Sequence, residues 1–149
     1  MRSKAIALVF FVLSFVSAAV PGFAFNDRPD PLALLQAKAD QAQPREQCFL
    51  YAELVSQMTD LAGHQLNSGD TGQASETIKL VQRYAAKIRA GVAEDSKKLK
   101  NAEELMRRSS YRLKDILNSA SYEDRPALES ALKDLDQVQA ELMMQVFKK

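Results

Sequence analysis

The chain has 149 residues, with 20 Lys+Arg against 19 Asp+Glu, one histidine, one cysteine and no tryptophan. Such a balance gives no strongly basic field for nucleic acid. A lone cysteine excludes an internal disulfide, so the fold has to be held by packing.

The first stretch reads MRSKAIALVFFVLSFVSAAVPGFAFNDRPD. Arg2 and Lys4 precede an apolar run from Ala5 to Val16, which is shorter than the roughly 20 residues a bilayer-spanning helix needs. Small residues and then a polar stretch come next. That order predicts a secretory signal peptide over residues 1–24, cleaved after Ala24, with Ser17-Ala18-Ala19 as the alternative site. The mature part, residues 25–149, is expected to be one domain, large enough for a modest core. It carries 18 Lys+Arg and 19 Asp+Glu. The expected location is exported, either periplasmic or extracellular.

Glycine and proline punctuate the mature part. Asp30 and Pro31 suit the cap and first turn of a helix over about 31–43. Pro44 restarts a second helix, about 44–67. Its apolar residues form two adjacent stripes, Cys48-Ala52-Val55-Thr59-Ala62-Leu66 and Tyr51-Leu54-Met58-Leu61. A face that wide predicts a helix touching more than one neighbour.

Gly69 is the natural stop, with Asp70 or Thr71 capping the next helix. From Ile78 to Ile116 apolar positions alternate at spacings of 3 and 4 in one phase, through Gly91 and through two polar residues, Asp95 and Ser109. The unbroken phase predicts one helix over about 71–119, roughly 73 Å long at 1.5 Å per residue. The competing reading breaks it at Gly91 and caps a new helix at Asp95 or Ser96. Ser121 and Asp124 resemble a capping box. A last helix is expected over about 122–147, with Leu128, Leu132, Leu135, Val138, Leu142 and Val146 as its apolar stripe. No run alternates as a strand does. The expected class is all-α: antiparallel helical hairpins or a bundle around one long central helix.

The segment Ala62-x-x-x-Leu66-x-x-Gly69-Asp70-x-x-x-Ala74 resembles the centre of a tetratricopeptide hairpin, in which a Gly-Asp turn precedes a small alanine. The resemblance spans Tyr51 to about Ile88 and implies a protein-binding scaffold without catalysis. The family's Trp and terminal Pro are missing, and no second copy lies about 34 residues away. A plain corner between two bundle helices accounts for the same turn.

Catalytic chemistry finds few materials. His64 and Cys48 fall on one helix, roughly 24 Å apart, too far to share a metal or form a dyad. Asp60 is placed to hydrogen-bond His64. There is no glycine-rich phosphate loop and no haem-attachment motif. Glu103 and Glu104 are expected to pair with Arg107 and Arg108. No cofactor, metal site or catalytic residue is expected, and the protein is read as a non-enzyme.

The one charge asymmetry runs from Lys97 to Lys114, a window of +5 between flanks of −3 each. Lys97, Lys100, Arg107, Arg108 and Lys114 are the candidate interaction ridge; three of them recur every seventh residue. A solvated helix back is the plain reading of such a face. The functional one is a docking ridge for an acidic protein, an anionic lipid surface or a wall polymer. The expected function is therefore binding of a protein or envelope partner, as a scaffold or chaperone-like factor, with peripheral membrane-surface or anionic-polymer binding as the alternative. Nucleic acid is not expected. A homodimer is expected only if helix 71–119 is continuous, because that shape leaves apolar flanks bare; a break at Gly91 predicts a compact monomer.

Overall fold

The computed structural model describes residues 30–93 and 95–148. The signal peptide and the start of the mature chain at Phe25 lie outside these residues. The described residues form five helices: α1 (Pro31–Gln41), α2 (Pro44–Asn67), α3 (Thr71–Gly91), α4 (Leu99–Ser119) and α5 (Arg125–Phe147). Among them there is no strand. The all-α class is what the chain adopts.

The helix ends obey local chemistry. Asp30 accepts a hydrogen bond from the Leu32 amide at 3.0 Å and caps α1. That helix stops at Gln41, two residues short of the expected end, because Ala42 and Gln43 are extended ahead of Pro44. The ring of a proline disfavours helical geometry in the residue before it. At the end of α2 the Asp70 amide donates to the Gln65 carbonyl at 2.9 Å and the Gly69 amide to that of Leu66 at 3.1 Å. This is a Schellman closure, and it needs the left-handed φ of 81° that Gly69 adopts. Ser121 and Asp124 do bond one another, amide to hydroxyl at 3.3 Å and hydroxyl to carboxylate at 2.6 Å. They form a turn ahead of α5, which starts at Arg125 and not at 122, with Pro126 in its first turn.

The expected continuous helix over 71–119 is not present. Residues 92–98 separate α3 from α4. Val92 is extended. Ser96, 5 % exposed, receives the Ala93 amide on its hydroxyl at 3.0 Å and returns its own amide to the Ala93 carbonyl at 3.0 Å. The Lys97 amide donates to the Arg45 carbonyl at 2.7 Å, which pins the linker to the start of α2. The physical reason for the break is Asp95. On a continuous helix it would sit in the seam as an uncompensated buried carboxylate, a cost of several kcal/mol. In the linker it is exposed.

The break also changes the arrangement. α2 and α3 form one antiparallel hairpin, α4 and α5 another. α2 packs on α1, α3 and α4, while α5 packs on α3 and α4; the pairs α3/α4 and α2/α5 are diagonals without contact. Asp60 meets Arg112 and Glu46 meets Lys97, so α2 and α4 run parallel. Gln82 bonds Asp134 and Arg89 bonds Glu141, so α3 and α5 run parallel too. Two hairpins therefore lie side by side, first helix against first and second against second. The buried positions repeat accordingly: Cys48, Tyr51, Val55 and Ala62 of α2 correspond to Leu99, Ala102, Met106 and Leu113 of α4. Ile78, Val81, Ala85 and Ile88 of α3 correspond to Leu128, Ala131, Leu135 and Val138 of α5.

α2 has the three neighbours its wide apolar face requires. Its two stripes are buried except at Leu61, 38 % exposed, and at half-buried Leu66. Cys48 is buried, as its place on the stripe predicts. On α5, Leu128, Leu135, Leu142 and Val138 are at most 1 % exposed, and each burial is worth roughly 2 kcal/mol relative to exposure. At Gly63 the Ile116 side chain of α4 packs against the α2 backbone. α1 is held by a polar clasp: the Tyr51 hydroxyl donates to Asp40 at 3.0 Å, and the Lys87 ammonium lies 2.9 Å from the same oxygen and 4.9 Å from the Tyr51 ring centroid.

Candidate functional site: the basic face of the fourth helix

The five ridge residues do not act alike. Lys97 lies in the linker, and its ammonium is 2.8 Å from Glu46 Oε1. It is a tie between the linker and α2, and it leaves the ridge. Arg108 pairs with Glu104 at 3.3 Å, as the spacing of four predicts. Arg112, outside the expected ridge, reaches Asp60 at 3.3 Å. The expected contact between Asp60 and His64 is thus replaced by one across the α2/α4 boundary.

Lys100, Arg107 and Lys114 remain. All three are exposed, and none has an ion-pair partner among the described residues. The expected Glu103–Arg107 pair is not formed. Glu103 instead accepts a hydrogen bond from the Gln139 side-chain amide of α5 at 3.1 Å. Docking α5 on α4 therefore engages the carboxylate that was expected to pair with Arg107. The three cations lie on one line along α4, with a rise of roughly 10.5 Å between successive members.

This line borders a groove between α4 and α5. Arg107, Ser110, Tyr111 and Lys114 form one wall, and Leu132, Asp136 and Gln139 the other, around a space of about 200 Å³. Tyr111 is 66 % exposed. Ser110 is 7 % exposed, and its hydroxyl has no hydrogen-bond partner among the described residues. Ser109, one residue earlier, donates to the Leu105 carbonyl at 2.8 Å and so is satisfied within its own helix.

Sequence reasoning placed Arg107 and Lys114 on this face but missed Ser110, Tyr111 and the whole α5 wall. The available signal was the pair Ser109-Ser110, of which only Ser109 falls on the seam. Nothing in the sequence assigns Asp136 and Gln139 to the same surface, because that depends on how α5 docks.

A larger recess of about 330 Å³ lies at the base of the bundle, lined by Lys38, Glu46, Phe49, Leu50, Glu53, Lys97 and Lys98. Two of its cations are already used. Lys97 is held by Glu46, and Lys98 stands 4.4 Å over the Phe49 ring. Lys98 adopts a left-handed φ of 57°, which lets the linker turn into α4. This recess reads as a clasp for the linker.

No group of three or more His, Cys, Asp or Glu side chains suited to a metal occurs among the described residues. No helix among them is long and apolar enough to cross a membrane. Comparison of the chain with protein-family models, with curated proteins and with solved structures finds no match.

Proposed function

We propose that this is an exported, non-catalytic helical protein that works by binding, as a scaffold or chaperone-like factor, and that the exposed face of α4 is its contact surface. One observation carries the reading. Lys100, Arg107 and Lys114 stand in line with no acidic partner among the described residues, although Glu103 lies one helical turn from Arg107. On a solvated helix back, pairs at spacings of three and four offset part of the charge. Here Glu103 is drawn to α5, and the cations are left for another molecule.

The side-by-side hairpins support the same reading. The hairpin over Tyr51 to Ile88 resembles a tetratricopeptide unit, and scaffolds of that kind bind through helix faces kept in fixed register. An acidic protein or envelope component is the partner this face fits.

Capture from the envelope fraction of its own cell tests the proposal. The parent protein should retain a partner at low salt, and a variant carrying Lys100→Glu, Arg107→Glu and Lys114→Glu should lose it. Equal capture by both would exclude the α4 face. Pelleting with anionic liposomes at low and high salt tests the membrane-surface alternative, since electrostatic attachment fades at high salt. N-terminal sequencing of the exported form tests the address: a start at Phe25 is expected, and a start at Met1 would refute cleavage.

A further inference from the structure

We propose that the C-terminal end of α5 dips into the headgroup layer of an anionic phospholipid surface. This inference goes beyond the reading of α4 as a binding face and does not depend on it.

The outer side of α5 changes character along its length. Glu129, Lys133, Asp136 and Gln137 are exposed over its first part. Ala140, Met143, Met144 and Phe147 replace them over the last two turns, and the last three are 42 %, 58 % and 79 % exposed. The inner side of the same turns is fixed, because Leu142 is fully buried and Val146 packs against the core. The bare apolar side chains thus sit on a helix that the bundle holds in place.

The topology leaves this end uncovered. Arg89 pairs with Glu141, so α3, which ends at Gly91, stops about level with Met143. The last turn of α5 projects past it. The linker after α3 is tied to Arg45 of α2, a helix that α5 does not touch, and so it runs away from the tip.

The charge at this end of the bundle favours an anion. Asp40 pairs with Lys87, Glu46 with Lys97 and Glu141 with Arg89. Lys38 and Glu53 share the recess beside α2 and offset one another. That leaves Arg45, Lys98, Lys100 and Lys148 against Asp95 and Glu103, the latter bonded to Gln139, an excess of two positive charges. Glu94 and Lys149, outside the described residues, add one charge of each sign.

Shape selects a lipid surface over a folded partner. The tip is a convex helix end and not a groove. Two of its three large side chains are unbranched methionines, which adapt to a fluid surface. From Met143 to Phe147 the helix rises roughly 6 Å, within the about 5–10 Å that an interfacial helix buries. No helix among the described residues is long and apolar enough to cross a membrane, so the contact is a dip and not a span. Headgroup depth also keeps water at the free carbonyls of the last turn.

The chain has no tryptophan, so Phe147→Trp installs a single fluorophore at the tip and keeps an aromatic ring there. The mature Phe147→Trp protein is mixed with vesicles of pure phosphatidylcholine or of phosphatidylcholine with phosphatidylglycerol. With the mixed vesicles its emission should shift to the blue and be quenched by lipids brominated high on their acyl chains. Added salt should weaken the binding, because attraction between lysines and lipid is screened. Met143→Ser with Met144→Ser in the same protein should lower partitioning about tenfold or more. Lys100→Gln and Lys148→Gln should each lower it about fivefold, the worth of one basic side chain near an anionic surface. All these side chains are exposed, and circular dichroism checks that the variants stay folded. Arg107→Gln with Lys114→Gln, farther along α4 from the tip, should leave the blue shift at saturation unchanged.

Unshifted emission in vesicle-bound protein would mean that the α4 ridge alone holds the lipid, and the proposal is overturned. A blue shift without vesicles that grows with protein concentration would put a second copy on the tip and overturn it as well. So would a shift given by lipid-free envelope proteins but not by vesicles, or no binding to mixed vesicles at low salt. Capture of a protein through the α4 face is tested separately by the charge-reversed triple variant, so the two readings fail independently.

Discussion

Gly63 offers the sharpest test of the arrangement. A Cβ added there would lie 2.9 Å from Ile116 Cδ1, 3.3 Å from Ile116 Cγ1 and 3.4 Å from an Arg112 nitrogen. Two effects oppose each other in Gly63→Ala. Alanine gains roughly 0.8–1 kcal/mol of helix propensity over glycine in a helix interior. Against that, Ile116 has to move its terminal methyl, at a cost of about 0.5–1.5 kcal/mol for a displaced rotamer. The two nearly cancel, so Gly63→Ala should lie within about 1 kcal/mol of the parent. In Gly63→Leu the propensity gain is no larger, while three further carbons enter the same space. Overpacking of that kind costs about 1–3 kcal/mol. Urea unfolding should show a lower midpoint for Gly63→Leu at an unchanged slope. Adding Ile116→Ala should recover part of the loss, because the two sites share the contact. A Gly63→Leu protein as stable as the parent would refute the parallel contact of α2 with α4. In that case Gly63 faces solvent, as on the flank of a continuous central helix.

Met106 is fully buried and Lys100 exposed, so Met106→Asp should destabilise by several kcal/mol and Lys100→Asp by no more than about 0.5 kcal/mol; equal losses in urea would overturn the assigned faces of α4. Burial pushes the Cys48 thiol up from 9.0 to about 11, so Ellman's reagent at pH 8 should leave it unreacted in the native protein; because the raised thiol favours its neutral form in the fold, this group's stabilisation is complete below pH 9.0 and is lost as pH rises from there toward 11. The Lys87 ammonium hydrogen-bonded to Asp40 holds that carboxyl below its ordinary 3.8, so its stabilisation is present above pH 3.8 and lost as pH falls through the lower folded value. The pair is an exposed one worth less than about 1 kcal/mol, and the protection of α1 amides, measured against their intrinsic exchange rates, should fall in the parent as pH drops below 3.8 but be low throughout in Asp40→Asn. Small-angle scattering of the mature chain should give a monomeric mass and a longest dimension set by a helix of 24 residues, roughly 36 Å plus side chains; a span near 75 Å, the length of the unbroken helix, would restore the continuous reading.

What could be read from the sequence was what depends on neighbours along the chain. Pro44 and Gly69 set the ends of α2 because each imposes a backbone geometry by itself. The double stripe on α2 announced several neighbours, since apolar area has to be covered by something. The break between α3 and α4 was harder. A phase of 3 and 4 can continue across a linker when both helices turn an apolar face to one core, and here Val92 and Leu99 keep that phase although residues 92–93 and 95–98 are not helical. Asp95 held the information. A carboxylate in a seam is an energetic contradiction, and it outweighs the apolar positions around it that agree. The parallel pairing of like helices was beyond the sequence for a related reason. Stripes spaced by 3 and 4 match one another at many offsets, so the correspondence of Val55 with Met106 becomes visible only once the ion pairs between α2 and α4 fix their register and both residues are seen to be buried.

The candidate site shows the same division. That Arg107 lies on an exposed face is a consequence of helical periodicity. Whether it is neutralised is not. Along the chain Glu103 is its partner at a spacing of four, a pair worth a few tenths of a kcal/mol on an isolated helix. The fold offers Glu103 a competitor, Gln139 on α5, in a partly buried position where a hydrogen bond to a charged group is worth about 1.5–3 kcal/mol. The tertiary bond wins by magnitude, and Arg107 is released. Ser110 lies in the same groove, and its buried hydroxyl has no hydrogen-bond partner among the described residues. Replacing Gln139 with leucine would keep the packing and remove the competitor. Glu103 would then return to Arg107, and capture of an envelope partner through the α4 face should weaken. Unchanged capture by Gln139→Leu would mean that Glu103 does not control the charge on Arg107.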